Sequence, residues 1–178
     1  HTHQERARIG RASAVLQALP DAPQPHAYDV AALLAAHPSR VEGTELRKLL
    51  DGGGIQYGPA STGLTAVRVG DGQHRDAATV LAEVALPGQL RSQQASYEIH
   101  PALLDACLQS AAVHPGVPRA SDGGPLRPVG VRRLRRHHPT RAAQYCLTTV
   151  TALHGDACEA DLELMDAAGN VLLSVEGL

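Results

Sequence analysis

The residues best placed to do chemistry lie in one largely apolar stretch, 100-HPALLDACLQSAAVHP-115. It holds a single carboxylate, Asp105, and a single side-chain amide, Gln109, four positions apart. Residues at i and i+4 are neighbours on one helical face. Pro101 suits a first helical turn, where its missing N–H costs nothing. The surrounding positions Leu103, Leu104, Cys107 and Leu108 are apolar. An ionised carboxylate buried without a partner is costly, and a carboxylic acid taken out of water holds its proton more tightly. Such an acid is suited to protonating a leaving group, with the amide beside it to fix its orientation. A plainer reading makes Asp105 a loop cap and leaves Gln109 exposed at one edge. Residue pattern alone leaves both open.

Other candidates are weaker. His100 stands at the start of the same helix, either as a substitute base or as a structural residue; His114, His137 and His138 read as solvated loop or strand-end residues. The three cysteines, Cys107, Cys146 and Cys158, are odd in number and lack CxxC spacing, which predicts reduced thiols in a cytoplasmic protein, with no zinc site and no disulfide framework. Cys107 falls on a different helical face from Asp105 and reads as a small core hydrophobe. The glycines at 52–54 lack the Lys-Ser/Thr ending of a phosphate loop and read as a helix stop. No Gly-x-Ser-x-Gly elbow occurs. The run 127-RPVGVRRLRRHHPTR-141 has six arginines and no acid, whereas residues 142–178 have six acids and no Lys or Arg. Pairing between neighbouring strands accounts for this asymmetry, and docking of an acidic partner is the second reading. Interleaved aromatics are missing, so nucleic acid is not expected.

The elements that must position the acid follow from length and pattern. The chain has 178 residues, 43% hydrophobic and 19% charged, with a net charge of −2. One globular domain of this size buries roughly 70% of its unfolded surface. Phe and Trp are absent, so Leu, Val and Ala must build the core. No apolar run is long enough for a transmembrane helix, and the opening HTHQERARIGR lacks the apolar run of a secretory signal. The chain starts at His1, which reads as an excerpt from a longer polypeptide. Residues 1–16 alternate as a short strand, and Pro20, Pro23 and Pro25 mark a linker. Short helices are expected over 28–38 and over 44–54, the second with Thr44 as N-cap. Strands are expected over 63–70, 79–87, 128–136, 144–151, 157–165 and 170–178, with a hairpin loop at 166–170. Within 157–165, Ala160, Leu162 and Leu164 face one way and Glu159, Asp161 and Glu163 the other. A long helix, apolar on all sides, among about six antiparallel strands gives an α+β layout with the sheet curled around it.

At this point the motifs resemble a known family. HPALLDACLQ is similar to the Asp-containing motif of the second hot-dog half of dehydratase domains in modular and iterative type I polyketide synthases. The stretch 53-GGIQYGPASTGL-64 resembles the Tyr-Gly-Pro-Ala motif that opens that half, and 126-LRPVGVRRLR-135 and 171-VLLSVEGL-178 match further on. LLDACLQSAAVHP, GVRRLR and AQYCLTTVT have the flavour of synthases that make methyl-branched lipids in mycobacteria.

The resemblance implies an α+β hot-dog fold, an antiparallel sheet wrapped around one long central helix and preceded by a linker with short helices. Residues 1–16 become the last strand of a first hot-dog half, 17–54 the Pro-rich linker and 55–178 the C-terminal hot dog. The implied reaction removes water from a β-hydroxyacyl chain held as a phosphopantetheine thioester on an acyl carrier protein, giving an α,β-enoyl thioester with no cofactor or metal. A His of the first half takes the α-proton, Asp105 protonates the departing hydroxyl and Gln109 positions it. Tyr57, Gly58, Leu104 and Leu108 are the implied substrate-binding residues. The implied partners are the carrier protein and other synthase domains, including the missing first half, with no nucleic acid or membrane. None of the ten histidines has the family's His-x-x-x-Gly-x-x-x-x-Pro spacing, and His1 and His3 match the final strand of the first half. The chain therefore supplies the acid without the base and is expected to be inactive alone. Ser61 and Leu108 stand where relatives carry Phe, which alters the pocket's aromatic walls. Two rival readings remain: a non-catalytic module that holds acyl chains or carrier protein, and a self-sufficient thioesterase in which Asp105 activates water.

Overall fold

A computed structural model describes residues 13–18, 23–51, 58–70, 79–115, 117, 126–155 and 157–178. Seven antiparallel strands form one sheet: β1 (Ser39–Glu42), β2 (Leu64–Val69), β3 (Thr79–Val84), β4 (Arg133–Arg136), β5 (Tyr145–His154), β6 (Ala157–Met165) and β7 (Val171–Glu176), in the order β1-β2-β3-β5-β6-β7-β4. Among the described residues three helices accompany it: α1 (Val30–Ala36), α2 (Gly43–Asp51) and α3 (Pro101–Ala112). Short 3-10 turns cover Pro59–Ser61, Gly88–Ser96 and Thr140–Ala142.

The sheet is covered on both sides, and β3 shows why. Val80, Ala82 and Val84 are buried in one cluster with Leu103, Ala106 and Cys107 of α3, while Leu81 belongs to a second cluster with Leu147 and Met165. Alternate side chains of a strand point to opposite faces, so α3 lies on one face. On the other, Tyr28 and the α1 residues Leu33 and Leu34 pack over the second cluster. Four hydrogen bonds order this segment and tie it to the sheet. Tyr28 N donates to Gly169 O at 2.9 Å, the Tyr28 hydroxyl donates to Glu163, and buried His37 bridges Leu33 O at 2.8 Å and Thr79 Oγ1 at 2.9 Å. Burial and the bond to Glu163 push the Tyr28 hydroxyl well above its ordinary range.

Several expectations hold and several are corrected. Strand 157–165 forms as read, with Ala160, Leu162 and Leu164 at 1% exposure against the core. The segment 128–136 yields only β4, Arg133–Arg136; ahead of it Pro128 lacks a donor and Val129 stands fully exposed. Residues 39–42, read as linker, form edge strand β1 against β2, and α2 inserts Leu46 into the core. No strand forms over 13–16, where Val15 and Leu16 are exposed with no neighbouring strand to pair with; residues 1–12 lie outside the described residues. The central helix is not enclosed all round: Leu103, Ala106, Cys107 and Ser110 are buried, while Ala102, Leu104, Asp105, Leu108 and Ala112 are half-buried. His114 is buried at 4% exposure rather than solvated. His137 is half-buried and bonded to Ser174 Oγ at 3.0 Å; burial and the neighbouring charges of His138 and Arg135 hold its imidazole below the usual range.

Cross-strand pairing of charge is present in part. Arg133 meets Glu176 of β7 at 3.0 Å, but Arg136 turns to Glu98 at 3.1 Å, away from the acidic strands. No described helix is long and apolar enough to cross a membrane.

Candidate active site

Helix α3 owes its start to two residues. Pro101 occupies the first turn, and His100 caps it, its Nδ1 accepting from Ala102 N at 3.2 Å. His100 is 6% exposed, so its place in the fold is that of a cap beneath the helix. The buried stripe seats α3 on the sheet. Gly63 lets this contact close, since a Cβ there would meet Ala106 Cβ and Ala85 O at 3.0 Å. Ser110, on the same stripe, donates to Cys107 O at 2.6 Å and shares a hydrogen bond with buried Thr148 of β5. A bond with Cys146 and complete burial push the Cys107 thiol well up, which leaves it protonated and unreactive near neutral pH.

The opposite face carries the acid. Gln109 Nε2 donates to Asp105 Oδ2 at 2.8 Å and, more weakly, to Ser61 O at 3.4 Å. Gln109 is 3% exposed, and its Oε1 has no hydrogen-bond partner among the described residues. Leaving a buried acceptor unmatched costs about 1–3 kcal/mol. Asp105 is half-buried, and with Gln109 on Oδ2 its Oδ1 points to no described donor. Among the described residues the carboxyl is held on one oxygen and has no donor on the other.

The Ser61 contact joins two motifs far apart in sequence. Gly58 precedes the 3-10 turn Pro59–Ser61, which is closed by Ser61 N donating to Gly58 O at 3.0 Å. That turn presents the Ser61 carbonyl to Gln109. Gly58 itself is exposed, and Tyr57 lies outside the described residues.

One turn beyond Asp105, Leu108 enters the lining of an apolar groove of about 250 Å³. Ala111 and Ala112 continue the helix side, Leu126–Val129 form a rim, and Ala157, Cys158, Ala160 and Leu178 complete the wall. Of the four expected substrate residues, Leu108 lines this groove; Leu104 packs against the core cluster, and Gly58 lies elsewhere. The Ser61 carbonyl and Cys158 escaped the sequence reading. The alternation of β6, which places Cys158 on the face of Ala160 and Leu162, is the signal that could have found the second. Among the described residues no three His, Cys, Asp or Glu side chains gather as metal ligands.

The profile described as "Polyketide synthase dehydratase N-terminal domain" matches residues 25–178. The chain belongs to the polyketide synthase dehydratase family. The phthioceranic/hydroxyphthioceranic acid synthase of Mycobacterium tuberculosis is 53% identical over 171 residues, 96% of this chain and 8% of the synthase. A mycocerosic acid synthase-like polyketide synthase of Mycolicibacterium smegmatis is 50% identical over 177 residues, again 8% of its length. Among solved structures, the dehydratase domain of a mycocerosic acid synthase-like polyketide synthase superposes with a TM-score of 0.83 at 49% identity, covering 92% of this chain and 56% of that one. The hot-dog architecture expected from the motifs is thus the observed one. The chain spans a small part of the curated synthases it matches and about half of the solved dehydratase domain.

Proposed function

We propose that this chain is the second hot-dog half of a polyketide synthase dehydratase and that Asp105 is its general acid. The matched profile is described by an N-terminal domain. The assignment to the second half draws on the motif order, Tyr-Gly-Pro-Ala before the Asp helix. Coverage of 56% of a solved dehydratase chain supports a half-domain.

The single observation that carries the reading is the Asp105–Gln109 pair, 2.8 Å apart, in which buried Gln109 holds a half-buried Asp105 one turn before Leu108, which lines an apolar groove. Hydroxide is a poor leaving group, and a positioned acid contributes typically about 10²–10⁴-fold to such a step. A base outside this chain, the His of the first half, removes the α-proton. The C–H electron pair becomes the Cα=Cβ bond, the Cβ–O bond breaks, and Asp105 gives its proton through Oδ1 so that water departs. Gln109 holds Oδ2, and the groove beside Leu108 receives the hydrocarbon part of the acyl chain. Exposed Arg127, Arg132 and Arg141, none in an ion pair among the described residues, offer positive charge to an acidic carrier protein. The resemblance to mycobacterial synthases points to lipid chains as substrates.

The test combines the chain with a separately produced first half and a β-hydroxyacyl thioester. Enoyl thioester that forms only in the mixture, and is lost in Asp105→Asn, supports the reading. Absence of elimination in every mixture, or release of free acid by this chain alone, overturns it in favour of a binding module or a thioesterase.

A further inference from the structure

The proposed function places the hydrocarbon part of the substrate in the groove beside Leu108, and the inference here rests on that reading. We propose that Cys158 and Leu178 form the stop that sets how long an acyl tail this groove accepts.

The dimensions define the ruler. From Asp105 to Ala112 the helix advances seven residues, about 10 Å at 1.5 Å per residue. The groove offers about 250 Å³, room for several methylenes of a tail. On the sheet side, alanines 157 and 160 flank Cys158 in the lining, so Cys158 and Leu178 are the bulkier groups there. Leu178 is fixed in place, its N and O bonded to Ala160 O and N at 2.9 and 3.1 Å. Cys158 is the second residue of β6, which then runs into the core as Leu162 and Leu164, so its Cβ is anchored as well. The opposite rim is looser, with Val129 fully exposed. Bulk added to the fixed wall therefore subtracts length from the tail.

The experiment measures binding of saturated β-hydroxyacyl-pantetheine thioesters of increasing chain length to the full 178-residue chain. Each methylene added within the groove raises affinity about fourfold. The rise stops once the groove is full. Cys158→Phe moves that break to shorter tails, Leu178→Ala moves it to longer ones, and the near-isosteric Cys158→Ser leaves it in place. Thiol labelling gives a second readout on the unmodified chain. Cys107 and Cys146 are buried at 1% and 0% exposure, whereas Cys158 is half-buried. Burial raises its thiol, so labelling with a maleimide is run at mildly alkaline pH. Tails that reach Cys158 slow its alkylation, and short tails that bind do not.

A break that stays at the same length in both Cys158→Phe and Leu178→Ala overturns the proposal. So does alkylation that ignores tail length while the thioesters bind, or protection given equally by a first hot-dog half without thioester. Failure of the two readings is separable. Dehydration that depends on Asp105 with an unmoved break sinks the ruler alone. A break that shifts as stated, in a reconstituted domain that never dehydrates, upholds the ruler and sinks the acid.

Discussion

Replacing Gln109 isolates positioning from proton donation. In Gln109→Leu the side chain keeps its bulk, but the 2.8 Å bond to Asp105 Oδ2 and the 3.4 Å bond to Ser61 O are lost. A hydrogen bond to a carboxylate contributes about 1.5–3 kcal/mol. If that contribution is expressed fully in the transition state, kcat falls between about tenfold and about a hundredfold, at 1.4 kcal/mol per factor of ten. Stability moves the other way or little, since Gln109 is 3% exposed and leucine removes a buried acceptor with no described partner. The assay is steady-state dehydration by the chain recombined with a first half, with urea unfolding run alongside. The expected signature is a lower kcat, a KM within about threefold, and a loss in Gln109→Leu/Asp105→Asn no larger than in Asp105→Asn alone, because residues that act as a unit are non-additive. Additive losses, or an unchanged kcat in Gln109→Leu, would refute a positioning role.

Two further predictions concern the scaffold. Glu83 of β3 receives hydrogen bonds from Arg40 at 2.9 Å and Arg68 at 2.8 Å. Arg40 above all, against the opposing effect of burial, holds its carboxyl below the ordinary value of 4.5. A group depressed on folding stabilises above its unfolded value and loses that contribution on acidification. Glu83→Gln should therefore cost about 0.5–1 kcal/mol at neutral pH, discounted for partial exposure, and the gap in urea midpoint should close below about pH 4; a gap that persists in acid refutes the network's role. Gly169 sits at φ +85°, where a Cβ would come within 1.9 Å of Tyr28 O. Gly169→Ala should lower stability by about 2 kcal/mol or more and expose Tyr28 to solvent in near-ultraviolet spectra, and an unshifted thermal midpoint would contradict the docking of α1.

The sequence made the acid helix and strand 157–165 legible because their periodicities are undiluted: i, i+4 for Asp105 and Gln109, strict alternation for Ala160, Leu162 and Leu164. The i, i+4 rule also delivered the hydrogen bond between the pair. What stayed hidden depends on tertiary contact. Ser39–Glu42 carries a single apolar residue, Val41, and becomes a strand only because β2 offers an edge to pair with. The Ser61 carbonyl is a backbone group with no side-chain signature, brought to Gln109 by a 3-10 turn. Leu104 and Leu108 look alike in a helix, yet one packs on the core and the other lines the groove. The open side of α3 has no signature of its own, because Leu108 and Ala112 are apolar whether or not the chain itself covers them.

The central claim, that Asp105 protonates the departing oxygen, is tested most directly by changing the leaving group. Single-turnover elimination is measured on matched β-hydroxyacyl and β-fluoroacyl thioesters, since fluoride departs without needing a proton. Asp105→Asn should slow loss of water by about 10²–10⁴-fold while fluoride loss stays within about tenfold of the unmodified protein. Equal losses on both substrates, or none on either, would contradict the assignment.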